Sequence, residues 1–275
     1  MKSFKVALDE GRKYLVENNI DNGKEDAWHL FSHLININRA EYFLNSDKQI
    51  SDLQYDQYMK LIKKRANNHP LQYIIGYQEF MGLKIKVNKD VLIPRLDTEI
   101  LVEEVLKVSR DKEILDLCTG SGCIIISLMK YGNINSGLGA DISKAALAVA
   151  RENALINEEN VNFIESDLFS NVEGRFDIIV SNPPYIPKDD IRELSKEVRV
   201  YEPHLALDGR EDGLYYYRQI AKELKQYLKP KGIVFFEIGY NQAEALIEIL
   251  EAEGIEEIEV VKDLAGLDRI IKGRL

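Results

Sequence analysis

The chain has 275 residues, enough for two domains, and 45% of them are hydrophobic, which suffices for a sizeable core. The formal net charge of −10 disfavours a protein whose main task is to grip nucleic-acid phosphates, since that usually requires a basic face. The longest apolar runs are too short to cross a bilayer, and the N-terminal residues lack the apolar stretch of a signal peptide. We therefore expect a soluble, cytoplasmic protein with no membrane association and no direct nucleic-acid binding.

Residues 1–70 predict a small helical domain, because apolar residues recur at helical spacing in three stretches. Phe4 and Leu8 share a face of the first helix. Ser51 is suited to cap the third helix, which closes on Lys63-Lys64-Arg65. A basic run in a last turn complements the helix dipole, although a substrate-facing patch is a second interpretation.

A β-hairpin linker is predicted over residues 71–93. Pro70 interrupts the third helix. Leu71–Ile75 and Leu83–Val87 then flank a turn at Met81-Gly82, and apolar and charged residues alternate in the second segment. This alternation is typical of a half-exposed strand. A helix capped by Asp97 or Thr98 is expected next.

Residues 94–275 predict an α/β domain with a doubly wound, mostly parallel, seven-stranded Rossmann-like sheet, because strand and helix patterns alternate from Glu113 onward. Helices are expected to start near Gly122, Ser143, Gly213 and Asn241. The predicted strands are Ile114–Leu117, Gly137–Asp141, Val161–Ile164, Phe176–Val180, Ile233–Ile238 and a final antiparallel pair, Ile258–Val261 with Arg269–Lys272.

A glycine turn follows the first of these strands. Gly120 and Gly122 allow close approach of a ligand to the backbone at the start of a helix. The third glycine of the dinucleotide fingerprint is missing, since position 125 is Ile, so a ligand without phosphate is favoured. The nearby Cys118 and Cys123 have neither metal-ligand nor disulfide spacing, so we expect reduced thiols and no metal.

Two acids stand at the carboxyl ends of the next two strands. Asp141 is placed to accept both hydroxyls of a ribose, and it also suits the start of the helix after Ser143. Asp167 is placed to accept from an adenine amino group. Each acid alone is more often structural, but acids on consecutive strands of a ligand-binding edge favour a functional interpretation.

The fourth strand runs into Asn182-Pro-Pro-Tyr185. The two prolines stiffen a non-helical loop at the strand end where open α/β sheets bind ligands. An asparagine carboxamide and a phenol ring there suit a small planar group that offers N–H donors. An ordinary strand-to-loop exit is the alternative that the motif alone leaves open.

The order of these motifs resembles the class I S-adenosylmethionine-dependent methyltransferases. Further segments narrow the resemblance to the PrmC/HemK family, which methylates the glutamine side-chain amide in the Gly-Gly-Gln loop of peptide chain release factors. These segments are Pro70–Gly76, Leu92–Arg95, Asn182–Pro187, Tyr201–Gly213 and Asp263–Arg269. The resemblance implies that S-adenosylmethionine is the cofactor, S-adenosylhomocysteine the product and a release factor the protein substrate, docked by the N-terminal helices.

The resemblance also implies roles for the matching residues. The cofactor would bind Cys118, Thr119, Gly120, Ser121 and Gly122 with its methionine part, Asp141 with its ribose, Asp167 and Leu168 with its adenine, and would lie near Asn182. The substrate glutamine would bind Asn182, Pro183, Pro184 and Tyr185, of which Asn182, Pro183 and Tyr185 would be catalytic, and Glu202 would shape the substrate side.

Three positions depart from the family pattern. Leu96 stands where many members have a second proline, Leu168 replaces an aromatic residue, and Cys118 occupies a position that is often glycine. Four other functions stay open from the residues: glutamine methylation of a ribosomal protein, methylation of adenine amino groups, a non-catalytic binding module and a nucleotide-linked oxidoreductase.

Overall fold

The structure is a computed structural model that describes residues 2–275. Its α-helices are α1 (Phe4–Glu17), α2 (Gly23–Ile35), α3 (Arg39–Asn45), α4 (Asp52–Ala66), α5 (Leu71–Ile75), α6 (Leu96–Leu106), α7 (Cys123–Tyr131), α8 (Lys144–Ile156), α9 (Lys196–Tyr201), α10 (Tyr215–Tyr227) and α11 (Ala243–Ala252). Its strands are β1 (Lys2–Ser3), β2 (Gln49–Ile50), β3 (Tyr77–Phe80), β4 (Leu83–Lys86), β5 (Glu113–Leu117), β6 (Ser136–Asp141), β7 (Asn162–Glu165), β8 (Phe176–Ser181), β9 (Leu228–Glu237), β10 (Glu256–Lys262) and β11 (Asp268–Arg274).

The chain forms two compact units. The smaller unit comprises the described residues up to Gly76 together with Ser195–Tyr201. The larger unit comprises Tyr77–Leu194 and Glu202–Leu275. Within residues 2–275, no helix combines the length and the apolar content that a membrane span requires.

The smaller unit is helical, as its apolar spacing predicts. Its core centres on Phe31, whose ring makes edge contacts with Phe4 and Tyr58 at centroid distances of 5.4 Å. Ser51 caps α4 as expected, since its hydroxyl accepts the backbone N–H of Gln54 and the Gln54 side chain accepts from the backbone of Ser51. The prediction of three helices missed α3, although Asn38 and Glu41 form a capping box at its start.

The basic end of α4 is more than a solvated helix terminus. Arg65 is only 7% exposed, and its guanidinium pairs with Asp26 at 2.6 Å and with Glu197 at 2.8 Å. A buried charge requires such partners, because desolvation without them costs several kcal/mol. Arg65 therefore joins α4 to α2 and α9.

The predicted strand over Leu71–Ile75 is wrong, because these residues form the short helix α5. Pro70 restricts the entry and Gly76 ends the helix in a left-handed conformation, with φ of 92°. Leu71, Ile74 and Ile75 pack on the helical core. The hairpin consists of β3 and β4 instead, with Met81-Gly82 at its turn as predicted.

The larger unit contains the predicted seven-stranded sheet, with strand order β10-β11-β9-β8-β5-β6-β7. The strands from β7 to β9 are parallel, and β11 and β10 add the antiparallel pair. Buried strand residues such as Leu115, Ile179 and Val234 form a shared core with α10 and α11. The chain reverses its winding between β5 and β8, which is where open α/β sheets bind ligands.

The sheet register determines which loops are neighbours. Leu117, the last residue of β5, pairs with Ala140 of β6 on one side and with Ser181 of β8 on the other. Ser181 in turn pairs with Phe236 of β9. The loops after β6, β5, β8 and β9 therefore lie side by side along one edge.

Candidate active site

A cavity of about 340 Å³ opens at this edge, within the larger unit. This volume is in the usual range for small-molecule sites. Nine of the residues predicted from the sequence line it: Cys118, Thr119, Gly120, Ser121, Asp141, Asp167, Leu168, Asn182 and Pro184. We call Cys118–Gly122 with Asp141 the glycine-loop side, and Asn182–Tyr185 with Thr98 and Glu237 the asparagine side.

The glycine loop turns sharply because three of its residues are left-handed. Cys118, Gly120 and Gly122 have φ of 59°, 55° and 79°. At the start of α7 the positive φ of Gly122 would strain any other residue, and a β-carbon there would lie 3.0 Å from the Ile126 side chain. The left-handed conformation of Cys118 explains why glycine suits its position, since such a φ costs an ordinary residue about 1–2 kcal/mol.

The Asp141 carboxylate links the glycine loop to the start of α8 by hydrogen bonds. One carboxylate oxygen accepts the backbone N–H of Gly120 and the other accepts that of Ser143, both at 2.8 Å. Burial raises the pKa of Asp141, and the N–H groups of Ser143, Gly120 and Ile142 oppose this rise. Each oxygen keeps acceptor capacity, so the carboxylate can also accept two hydroxyl groups from a ligand.

Asp116 lies behind the same loop and was missed by the sequence analysis. It is fully buried and accepts the Thr119 hydroxyl at 2.6 Å. Burial raises its pKa to about 7, and its second oxygen has no hydrogen-bond partner among residues 2–275. The sequence does contain a signal for Asp116, because it is an acidic residue within the otherwise apolar centre of β5. Burying an unpaired charge there costs free energy, so such a residue often has a specific role.

The loop after β7 contributes Asp167 and Leu168 to the cavity wall. Ser166 holds this loop, because its hydroxyl donates to the Leu168 carbonyl at 2.6 Å and accepts the N–H of Asn171. Leu168 is left-handed, with φ of 48°, and packs against the main core. An aliphatic side chain thus stands where an aromatic ring was the family expectation.

On the asparagine side, side chains from distant parts of the chain meet. The Asn182 carboxamide Nδ2 donates to the Thr98 hydroxyl at 3.4 Å. The Tyr185 hydroxyl donates to Glu237 at 3.3 Å, and its carbonyl accepts from the side chain of Gln242 at 2.9 Å. Pro183 is buried, and neither Pro183 nor Tyr185 is among the residues that line the cavity, whereas Asn182 and Pro184 are.

The prediction that Asp97 or Thr98 caps the helix α6 is wrong. The residue before α6 is Arg95, without a side-chain capping bond, and Thr98 lies within the first turn. Its hydroxyl oxygen instead accepts a hydrogen bond from the Asn182 carboxamide. Thr98 and Glu237 are therefore site residues that the sequence analysis missed, since neither belongs to a motif next to Asn182 in the chain.

Glu202 lies behind the cavity rather than in its wall. It is 3% exposed, accepts the backbone N–H of Ile93 at 3.1 Å and pairs with Arg95 at 2.5 Å. Arg95 itself lines the cavity. Glu202 thus holds the segment Leu92–Arg95 in place. This contact joins two of the segments that carry the family resemblance, Leu92–Arg95 and Tyr201–Gly213.

The residues present fit S-adenosylmethionine. The glycine-loop side offers carboxylate acceptors beside exposed backbone, which suits a ribose and a zwitterionic amino acid better than a pyrophosphate. No group of three His, Cys, Asp or Glu within residues 2–275 is placed to hold a metal ion. Together with the strand order, this cavity defines the class of S-adenosylmethionine-dependent methyltransferases.

Comparisons with known proteins narrow the class. The family models for the PrmC N-terminal domain and the methyltransferase small domain match residues 6–76 and 95–199. A release factor glutamine methyltransferase of Fusobacterium nucleatum is 41% identical over 266 residues, covering 94% of this chain and 75% of that protein. That of Geobacter sulfurreducens is 38% identical over 275 residues, covering 99% and 97%. That of Clostridium acetobutylicum is 41% identical over 276 residues, covering 98% and 97%.

A solved structure shares the fold. The crystal structure of a methyltransferase from Pyrococcus furiosus matches with a TM-score of 0.56 at 18% identity, covering 80% of this chain and 98% of that chain. At the identities given above, the chain belongs to the family of release factor glutamine methyltransferases.

Proposed function

We propose that this protein transfers a methyl group from S-adenosylmethionine to the side-chain amide nitrogen of the glutamine in the Gly-Gly-Gln motif of peptide chain release factors. The observation that carries the proposal is the single cavity lined by both Asp141 and Asn182 in a chain with whole-length relatives of that activity. A cytoplasmic location belongs to the same proposal, because release factors act in translation.

Asp141 and the glycine loop would hold the cofactor. The acceptor capacity that remains on the Asp141 carboxylate would take the two ribose hydroxyls, and residues Cys118–Gly122 would lie against the methionine part. Asp167 and Leu168 would flank the adenine. When bound, S-adenosylmethionine supplies an electrophilic methyl group on a sulfonium ion.

Asn182 and Pro183 would orient the substrate amide. An amide nitrogen is a weak nucleophile because its lone pair is delocalised into the carbonyl. If Asn182 Oδ1 and the Pro183 carbonyl each accept one amide N–H, the nitrogen is aimed and made more electron-rich, and positioning supplies most of the rate gain. The same two acceptors stabilise the positive charge that develops on nitrogen. The alkylated amide is strongly acidic, so its proton can leave to water without a dedicated base.

Tyr185 and Glu202 would support this arrangement from behind. The Tyr185 ring would pack near the amide plane and help exclude water, while Glu202 would hold Arg95 at the cavity. The smaller helical unit would dock the body of the protein substrate. These roles are part of the same proposal.

Mass spectrometry of methyl transfer tests the proposed function. Purified protein and S-adenosylmethionine are incubated separately with a release factor, with ribosomal proteins and with adenine-containing DNA. We expect one added methyl group on the Gly-Gly-Gln glutamine and none on a release factor in which that glutamine is alanine. Methylation of a ribosomal protein or of DNA alone would move the function to that substrate, and cofactor binding without any transfer would favour a binding module.

A further inference from the structure

Four polar side chains form a group of two neighbouring hydrogen-bonded pairs on the asparagine side. Thr98 and Glu237 are 2% and 1% exposed, and they come from α6 and from the end of β9. Asn182 donates to the Thr98 hydroxyl at 3.4 Å, and Tyr185 donates to Glu237 at 3.3 Å. The Thr98 hydroxyl lies beside the Glu237 carboxyl, whose Oε2 is buried and accepts no hydrogen bond within residues 2–275. Two hydrogen-bonded pairs, Asn182–Thr98 and Tyr185–Glu237, thus lie next to each other.

The donors and acceptors in this group impose a direction. An ionised carboxylate has no hydrogen to donate, so the unpartnered Oε2 of an ionised Glu237 can only accept one, and the nearby Thr98 hydroxyl can supply it. Thr98 has one hydroxyl hydrogen, and when it points to Glu237 only the oxygen lone pairs face Asn182. Asn182 must then present its NH₂ group to Thr98, which leaves Oδ1 as the acceptor for a ligand in the cavity.

We propose that Thr98 and Glu237 are positioning residues that set the orientation of the Asn182 carboxamide, so that its oxygen rather than its NH₂ group meets the substrate amide. This inference rests on the proposed function. Without the pair, the carboxamide can turn by 180° and present two donors to a substrate nitrogen that also offers donors. The turned form cannot bind the glutamine amide productively.

The direction requires an ionised Glu237, and opposing influences act on the pKa of this carboxyl. Burial raises the pKa overall and the charge of Asp97 adds to the rise, whereas the Thr98 hydroxyl, the charge of Arg269 and the Tyr185 hydrogen bond oppose it. Arg269 is held near this group by Asp263 at 3.0 Å and Asp97 at 3.4 Å. The carboxyl is therefore surrounded by donors and a cation rather than by apolar groups alone.

Helix capping, the usual structural role of a threonine at a helix start, does not explain the hydrogen bond that the Thr98 hydroxyl makes. A threonine at a helix start usually caps the backbone N–H groups, yet the residue before α6 is Arg95 and it makes no side-chain capping bond. The Thr98 hydroxyl instead accepts a hydrogen bond from Asn182. Asn182 lines the cavity, and its carboxamide could contact the substrate amide directly.

Kinetics of three variants test the inference. Thr98→Val removes the hydroxyl and keeps the side-chain shape, whereas Thr98→Ser keeps the hydroxyl and is the matched control. Glu237→Gln keeps the shape and places a donor where only acceptors stood. We expect kcat for the release factor to fall by about tenfold or more in Thr98→Val and Glu237→Gln and to stay within about threefold in Thr98→Ser. The Kd of S-adenosylmethionine, measured by calorimetry, should change less than about threefold.

The double variant adds a readout that a merely structural role would not produce. If both residues act through Asn182, Glu237→Gln should add little to the loss of kcat already caused by Thr98→Val, because the orientation is then already lost. Wild-type kcat in Thr98→Val, or equal losses in Thr98→Val and Thr98→Ser, would overturn the inference. If Thr98→Val does not fold, Glu237→Gln decides alone, and wild-type kcat in that variant would overturn it.

The same assay separates this inference from the proposed function. Loss of methyl transfer in Asn182→Ala together with unchanged kcat in both supporting variants would reject only the positioning role. Absence of transfer to the release factor by the wild-type protein would reject the proposed function itself.

Discussion

The two sides of the cavity are held by different kinds of contact. On the glycine-loop side, the oxygens of Asp141 accept backbone N–H groups from Gly120 and Ser143, and Thr119 donates its N–H to the Ala140 carbonyl. On the asparagine side, Asn182 and Tyr185 depend on side chains, Thr98 and Glu237, that lie 84 and 52 residues away in the chain.

This difference separates two tasks. Backbone N–H groups point in directions that the chain path fixes and do not depend on a side-chain torsion, so the glycine loop offers Asp141 a rigid set of donors. A carboxamide can turn about its last torsion, so the asparagine side needs further side chains to select one orientation. We therefore expect substitutions on the asparagine side to affect turnover, and those on the glycine-loop side to affect cofactor affinity and stability.

The largest effect is expected from Asn182→Ala. This variant lacks the proposed amide acceptor, so kcat should fall by about 10²–10³-fold or more, as when a transition-state contact is removed. The Kd of S-adenosylmethionine should stay within about threefold. Mass spectrometry of the release factor and calorimetry measure the two quantities. Asn135→Ala, the same change at an exposed loop residue that donates to Asp111, is the control and should turn over normally. Normal turnover in Asn182→Ala would contradict the mechanism.

Asp141→Ala should have the opposite pattern. It removes the proposed ribose acceptors and leaves the N–H groups of Gly120 and Ser143 without their partner. We expect cofactor affinity to fall by about 100-fold, since two hydrogen bonds to a charged group are lost. Turnover at saturating cofactor should fall less than in Asn182→Ala. Calorimetry with Asp111→Ala as the exposed control decides this, and unchanged affinity would exclude the ribose role.

Asn153→Ala tests how the glycine loop is supported from behind. The fully buried Asn153 side chain donates to the Ser121 carbonyl at 2.9 Å and bonds both backbone groups of Lys86 in β4. Its loss leaves buried backbone groups unpaired, so the free energy of unfolding should fall by about 2–3 kcal/mol. Chemical denaturation measures it. Asn157→Ala, a more exposed side chain that bonds Lys84, should lose much less, and equal losses would contradict this account.

Asp116→Asn is expected to give the smallest effect, and one that depends on pH. Burial raises the Asp116 pKa from 3.8 to about 7, so the folded state binds more protons than the unfolded state between these values. Stability of the wild type is then lost as pH rises from about 4 to 7, whereas the asparagine cannot ionise. The stability of Asp116→Asn relative to the wild type should therefore grow by at least about 1 kcal/mol over this range. A difference that is independent of pH, in urea unfolding at pH 5 and pH 8, would show that Asp116 does not titrate in the folded protein between these pH values.

Most of the larger unit was predictable because its signals are local. The central strands β5 and β8 are short, mostly apolar runs, and turns that the residues specify follow the parallel strands, such as the left-handed Gly122 at the start of α7 or Ser143 capping α8. The errors fell where two local patterns compete. Leu71–Ile75 is apolar enough for a strand, but Pro70 and Gly76 bound it as one turn of helix packed on the helical core.

The sequence by itself determined the fold class, the family resemblance and most of the cavity wall, because a residue at the carboxyl end of a parallel strand must lie at the ligand-binding edge. Only the tertiary structure decided that Thr98 accepts from Asn182, that Glu237 accepts from Tyr185 and that Glu202 pairs with Arg95. These contacts join residues 52 to 107 positions apart, and no local pattern specifies the partner of a side-chain hydrogen bond across such distances. The pairing of β9 with β8 and the packing of α6 against β9 bring Thr98 and Glu237 to the end of β8.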